Sequence, residues 1–249
     1  MIPKIIHYCW FGGKPLPENM KKCIASWKKY LPDYEIKEWN ESNFDLNCCE
    51  YVQEAYKIKK WAFVSDYARF WILYRYGGLY FDTDVEMIKS LNILIEKGSF
   101  MGCENITTPI SDGDVSSLAI NPGLGMAASP GLRLYKEILD YYGGLHFSLN
   151  KDGTYDTVVD YVTSILRKHG FKGNGTIEEI DDIFVYPPEY FGPMNYKTGK
   201  ISITENTYTI HWYTASWQSG YSRFKTQMQH LLGERVTNLI IQMKRKIKR

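Results

Sequence analysis

Two carboxylates, Asp82 and Asp84, follow the apolar run Leu79-Tyr80-Phe81. On an extended segment, residues two apart face the same way, so both acids are expected to point into one small space. Side by side they repel, and one of them would hold a proton. A hard divalent cation resolves the conflict, because Mg²⁺ and Mn²⁺ prefer carboxylate oxygen. Such a cation can bind a diphosphate and stabilise it as it leaves. A solvated turn after a strand would carry the same residues, so the pair acquires meaning only with company.

The first company is Asp66 and Arg69, three apart and therefore on one helix face. They lie inside Trp61–Tyr76, a segment that is apolar nearly all round through Trp61, Phe63, Val64, Phe70, Trp71, Ile72 and Leu73. Charges in such a helix need partners. They can pair with each other, or they can serve the hydroxyls and phosphates of a ligand. The second is His211-Trp212 followed by Ser216-Trp217; an imidazole at a strand end can complete a carboxylate metal site, although a lone histidine also serves structure. The third is Asn121-Pro122-Gly123, an amide in a tight turn, which suits hydroxyl recognition and ordinary turn chemistry alike.

These residues need elements to position them. Residues 4–10 read as a buried first strand, Glu18–Tyr30 has helical spacing, and residues 34–39 alternate like a strand. This βαβ opening predicts a parallel sheet with helices on its faces. The helix Trp61–Tyr76 should be buried and should end at Gly77-Gly78. The glycine break lets its charged face turn back towards the two aspartates. A strand is expected over residues 99–104, a polar surface loop over 107–117, helices over 130–142 and 155–169, and a late strand over 208–212. Residues 213–221 are rich in aromatics and hydroxyls, and within them 214–221 suit a closing lid. Residues 225–249 have helical spacing and a basic end. The expected organisation is one α/β domain over residues 1–224 and a basic C-terminal helix over 225–249.

The composition fits this picture. With 249 residues, 44% hydrophobic and 23% charged, the chain can bury one sizeable core. A net charge of +2 gives no global field for nucleic acid. The positive charge gathers at Lys244, Arg245, Lys246, Lys248 and Arg249, which suits a peripheral contact with an anionic membrane. Five cysteines without a CxxC spacing suggest a reducing compartment. The opening residues read as a strand rather than a signal peptide, and no stretch reaches membrane-spanning length. The expected location is cytoplasmic, with an option of the inner face of the cytoplasmic membrane.

Taken in order, Ile2-Pro3-Lys4-Ile5-Ile6-His7 with Trp10-Phe11-Gly12, Ser65-Asp66-xx-Arg69, Tyr76-Gly77-Gly78-Leu79-Tyr80-xx-Asp82-x-Asp84 and His211-Trp212-xxx-Ser216-Trp217 resemble glycosyltransferase family 32, the group with a DxD-containing sugar-binding region. The resemblance implies a single-domain GT-A fold, a Rossmann-like mixed sheet flanked by helices. It implies a nucleotide-sugar donor, Mn²⁺ or Mg²⁺, and transfer with retention of the anomeric configuration. The central block is also similar to that of glucosylating bacterial toxins. By that similarity Asp66 and Arg69 bind the donor sugar, and Asp82 and Asp84 serve ribose and metal. His211 is a further metal ligand, and Ser216 and Trp217 close over the β-phosphate. Trp10 and Phe11 lie near the base. His7 and Tyr80, within the matching segments, join the donor-binding set. Asn121 carries over with Asp66 and Arg69 as a catalytic candidate. A UDP-hexose is favoured, with UDP-galactose among the options, and the acceptor is a saccharide or a lipid-linked one. The compact chain looks like the bacterial enzymes that build capsule or lipopolysaccharide.

Two rival readings stand beside this one. Leu79-Tyr80-Phe81-Asp82-Thr83-Asp84-Val85 also looks like the haloacid-dehalogenase nucleophile motif, with Asp82 attacking phosphate and Asp181-Asp182 as a later metal pair. The aromatic fraction of 15% would also serve a non-catalytic carbohydrate-binding module.

Overall fold

The β-branched and aromatic stretch IIHYC forms β1 (Ile5–Cys9), which pairs in parallel with β2 (Glu35–Trp39), Ile6 opposite Ile36. Between them runs α1 (Glu18–Tyr30), whose buried side carries Met20, Cys23 and Trp27. The computed structural model describes residues 1–106, 118–151, 153–196 and 198–214. The expected loop at 107–117, the segment 215–221 and the C-terminal helix at 225–249 lie outside the described residues. So do Ser216, Trp217 and the basic cluster from Lys244 to Arg249.

A short helix with no counterpart among the expected elements, α2 (Glu50–Lys57), follows β2 and buries Tyr51, Val52 and Ala55. The helix α3 (Trp61–Tyr76) has the expected bounds and buries Asp66 and Arg69 with its apolar residues. It ends at Gly77 and Gly78, at φ +62° and +96°. From there β3 (Gly78–Tyr80) enters the middle of the sheet, parallel to β1 and antiparallel to β7 (Met126–Ala128). The chain then leaves the main sheet. It turns into β4 (Val85–Met87), which forms a separate two-stranded ribbon with β10 (Thr209–His211). After α4 (Asn92–Lys97), β5 (Ser99–Asn105) returns to the sheet and carries β6 (Leu118–Ile120) at its end. The helices α5 (Arg133–Gly143) and α6 (Val158–Lys168) follow, then β8 (Glu178–Ile180), β9 (Ile183–Tyr186) and the short α7 (Pro188–Phe191).

The eight-stranded sheet runs β2-β1-β3-β7-β5-β9-β8, with β6 beside β5. Alternation along its strands builds a core on each face. Tyr80, Met126 and Ala128 point to the side that holds Phe70, Tyr135, Ile138 and Leu166, from α3, α5 and α6. Leu79 and Ala127 point to the other, with Trp27, Phe100 and Phe191. This is the expected mixed sheet flanked by helices. Among the described residues, no helix is long and apolar enough to cross a membrane.

The corner between α3 and β3 sets where the two aspartates emerge. A Cβ on Gly78 would lie 2.6 Å from the Ile5 carbonyl oxygen and 3.2 Å from His7 Nε2. The backbone therefore passes too close to β1 for any side chain, in a conformation L-residues rarely adopt. Gly78→Ala is expected to cost about 2 kcal/mol or more in unfolding free energy, read as a lowered urea midpoint. An unchanged midpoint would show that the corner tolerates a side chain.

Candidate functional site

Arg69 stands between two carboxylates. Its Nη2 donates to Asp66 Oδ1 at 2.9 Å and lies 3.2 Å from Asp82 Oδ1. Its Nε donates to the Ser65 carbonyl, and its guanidinium sits 5.0 Å from the centre of the Tyr80 ring. The Tyr80 hydroxyl donates to the same Asp82 oxygen at 3.2 Å. Side-chain exposure rises from 4% at Arg69 and 10% at Asp66 to 29% at Asp82, so Asp82 is the open end of this cluster. Two acids share one cation. Burial, with Asp82 adding repulsion, lifts the Asp66 carboxyl to about 7 against the pull of Arg69 and the Val158 N–H. Burial also opposes the Arg69 charge, but Asp82 and Asp66 outweigh it and hold the guanidinium more firmly protonated.

The two aspartates do not continue the strand as expected. The Val85 N–H donates to the Asp82 carbonyl at 3.0 Å, so residues 82–85 form a turn between β3 and β4. The reversal sends Asp82 towards Arg69 and Asp84 towards the β4–β10 ribbon. There His211 Nε2 lies 3.0 Å from Asp84 Oδ1, and the backbone N–H and hydroxyl of Thr214 each donate to Asp84 Oδ2 at 2.8 Å. Burial works against the Asp84 charge, yet His211 and Thr214 overcome it and hold the carboxyl well below its ordinary range. Burial likewise disfavours charging His211, and Asp84 reverses this, raising its pKa.

This end of the site has donors that suit a divalent cation. Among the described residues, the buried His211 Nδ1 has no hydrogen-bond partner. The 3.0 Å between His211 Nε2 and Asp84 Oδ1 matches adjacent corners of an octahedron with bonds of about 2.1 Å. Among the described residues no three His, Cys, Asp or Glu groups close into a metal cage. An arrangement of one or two protein ligands completed by substrate phosphates is the usual one for such cations.

Asn121 reaches the same region from the other side of the sheet's centre. Its Oδ1 accepts the Gly123 N–H at 2.8 Å, and the Gly123 carbonyl accepts the Asp82 N–H at 3.1 Å. A Cβ on Gly123 would lie 2.1 Å from Asp82 Oδ2, so only glycine lets this turn lie against the carboxylate. Asn121 Nδ2 donates to Glu104 Oε2 at 2.9 Å, and the Tyr213 hydroxyl donates to that oxygen at 3.1 Å. Glu104 and Tyr213 were not among the expected site residues. An acid at a strand end and one tyrosine among twenty carry no motif that would single them out.

His7 departs from its expected donor-binding place. It is 1% exposed. Trp39 Nε1–H donates to its Nδ1 at 3.1 Å, so its Nε2 carries the proton and donates to the Gly77 carbonyl at 3.0 Å. Burial lowers its pKa to about 4, and this neutral ring pins the glycine corner rather than facing a ligand. Phe11 is buried against Phe44, their ring centres 5.8 Å apart. Trp10 is partly buried at the end of β1, its indole N–H given to the Lys14 carbonyl. Because β1 and β3 are parallel neighbours, both residues leave the sheet on the same edge as Asp82. Asp181 and Asp182 lie in the turn between β8 and β9, at the sheet's margin, where Asp181 meets His169 at 2.9 Å. The structure thus separates them from Asp82, against the phosphatase reading.

Residues 17–101 match a family model described as "Glycosyltransferase sugar-binding region containing DXD motif", a span that holds Asp66, Arg69, Asp82 and Asp84. Over 102 residues the chain is 31% identical to inositol phosphoceramide mannosyltransferase 3 of Schizosaccharomyces pombe, covering 38% of this chain and 27% of that protein. It is 30% identical over 131 residues to an uncharacterized glycosyltransferase, L373, of Acanthamoeba polyphaga mimivirus, covering 49% and 52%. The chain therefore spans between about a quarter and a half of these curated relatives. In fold it is similar to the PaToxG glycosyltransferase, with a TM-score of 0.50 at 20% identity over 67% of this chain and 69% of that one. The architecture is of the GT-A type, and residues 17–101 carry the match to the sugar-binding model. These sequence relatives are fungal and viral, and they lend no support to a bacterial capsule or lipopolysaccharide type.

The carboxyl of Asp66 makes stability depend on pH. Its folded pKa of about 7 lies above the unfolded value of about 3.9. The folded state therefore holds the extra proton between these values, and stability falls as pH rises through that window. Asp66→Asn lacks this slope. In chelator, its unfolding free energy relative to the parent is expected to improve by roughly 2–3 kcal/mol between pH 5 and pH 8. Urea titrations at the two values check this, and a pH-independent difference would assign the proton elsewhere.

Proposed function

We propose that this chain transfers a hexose from a nucleoside-diphosphate sugar to a hydroxyl of a saccharide or lipid-linked acceptor, with retention and with Mn²⁺ or Mg²⁺. The observation that carries the reading is the shared guanidinium. Arg69 links the buried Asp66 to the open Asp82, one turn from the Asp84–His211 pair, inside the span that matches the sugar-binding model. Asp66 accepts hydrogen bonds from sugar hydroxyls. Arg69 faces the sugar and keeps Asp82 in place. Asn121, fixed beside Asp82, offers its amide to the sugar. Asp84 and His211, with Asp82 nearby, would hold a divalent cation, which neutralises charge on a departing diphosphate. Trp10 and Phe11, on the same sheet edge, suit the base. Ser216 and Trp217 complete the reading over the β-phosphate.

The name of the fission-yeast relative gives it a mannosyl donor and an inositol phosphoceramide acceptor. That supports a lipid-linked acceptor here and puts mannose beside galactose and glucose as the sugar. The basic residues Lys244, Arg245, Lys246, Lys248 and Arg249 fit an anionic membrane surface on which such an acceptor would lie. A surface polysaccharide or glycolipid is the product this reading points to.

A panel of UDP-galactose, UDP-glucose, UDP-N-acetylgalactosamine and GDP-mannose with Mn²⁺ tests the reading through slow donor hydrolysis, which needs no acceptor. One sugar is expected to turn over well above the rest. Asp84→Ala should reduce that turnover by about 100-fold or more while the protein melts cooperatively. Full turnover by folded Asp84→Ala protein would remove Asp84 from the site. Retention is checked separately: the anomeric coupling constant of the transfer product should match that of the donor, and an inverted product would end that part of the proposal.

A further inference from the structure

Glu104, next to last in β5, is a carboxylate at the meeting of three chain segments. Its Oε2 alone accepts the Asn121 amide at 2.9 Å and the Tyr213 hydroxyl at 3.1 Å, partners 17 and 109 positions away in sequence. A partly buried carboxylate is unfavourable unless it is paired, and burial raises its pKa despite both hydrogen bonds and the nearby His211.

Each partner leads to a different part of the donor site. Asn121 Oδ1 holds the Gly123 N–H, and the Gly123 carbonyl holds the Asp82 N–H. With Nδ2 on Glu104 and Oδ1 on Gly123, the Asn121 amide cannot flip. Among the described residues the amide makes no other hydrogen bond, so its second N–H and second Oδ1 lone pair have fixed directions. Tyr213 packs its ring 4.2 Å from the centre of His211 and precedes Thr214, which binds Asp84. One oxygen therefore braces the sugar-facing amide against the segment that carries the imidazole.

We infer that Glu104 is a positioning residue for the transfer reaction: by accepting from Asn121 and Tyr213 together, it fixes the direction in which the Asn121 amide meets the donor sugar. This rests on the glycosyltransferase reading. The nucleotide end does not depend on it in the same way, because His211 and Thr214 hold Asp84 directly. Loss of Glu104 should therefore act on turnover far more than on binding of the nucleotide.

The test uses the full chain and its preferred donor with Mn²⁺. Glu104→Ala is expected to lower kcat for donor hydrolysis roughly 30-fold, with affinity for the free nucleoside diphosphate, measured by calorimetry, changed less than about threefold. Glu104→Gln keeps an oxygen that can accept both hydrogen bonds, so it should recover most of the lost turnover. A general loss of folding would instead lower melting temperature and nucleotide affinity together, and that result overturns the inference. So does a Glu104→Ala protein with parental kcat. Equal loss in Glu104→Ala and Glu104→Gln also overturns it, because charge rather than hydrogen-bond geometry would then be what matters. Failure of the parent to hydrolyse any sugar nucleotide or bind any nucleoside diphosphate would defeat the functional reading itself, a separate and recognisable result.

Discussion

A guanidinium placed inside a helix that packs on nearly every side is unfavourable unless acids meet it there. Arg69 meets two, Asp66 on its own helix and Asp82 on the following turn. Much of the surrounding architecture serves this contact. The glycine corner lets β3 follow α3 at once, and the neutral His7 ring ties that corner to β1. The Asp82 backbone is then held by Gly123 and its side chain by Tyr80. With one cation for two carboxylates, full ionisation would leave an excess of negative charge; burial and that repulsion favour a proton on Asp66 below about pH 7, and the exposed member is Asp82. Such an imbalance destabilises an empty site and favours ligands that bring hydroxyl donors or a cation.

The turn at residues 82–85 divides labour between neighbours two positions apart. Asp82 belongs to the sheet and to α3. Asp84 belongs to the ribbon of β4 and β10, with Thr214 completing its hydrogen bonds. A straight strand would have set both acids against each other in one space. The turn gives each its own partner, Arg69 or His211, and leaves both within one small region.

Periodicity made α1 and α3 legible end to end, because an apolar face and a terminal glycine pair are local properties. The parallel pairing of β1 and β2 followed from the βαβ order. The short α2, with only Tyr51, Val52 and Ala55 buried, has too few turns to announce itself. The charged pair on α3 was visible, and the glycine break directed its face to the aspartates; that Arg69 meets Asp82 rather than Asp84 required the fold. His7 was misread because a histidine in a motif-bearing strand looks the same whether its nitrogens meet a ligand or Trp39 and Gly77. Glu104 and Tyr213 were invisible for a related reason: their contacts join segments 109 positions apart, and nothing local records that.

The β4–β10 ribbon has a further consequence, for the order in which the site is assembled. Asp84 and His211 are 127 positions apart, and bringing them together closes a very long loop, a slow class of contact. The charged members of the Arg69 cluster are all present by residue 82. As the polypeptide leaves the ribosome, Asp66, Arg69 and Asp82 are therefore all present well before the imidazole exists. The Asp84 end is completed only when β10 arrives, so a nascent or shortened chain carrying the whole DxD motif would still present Asp84 without its imidazole partner.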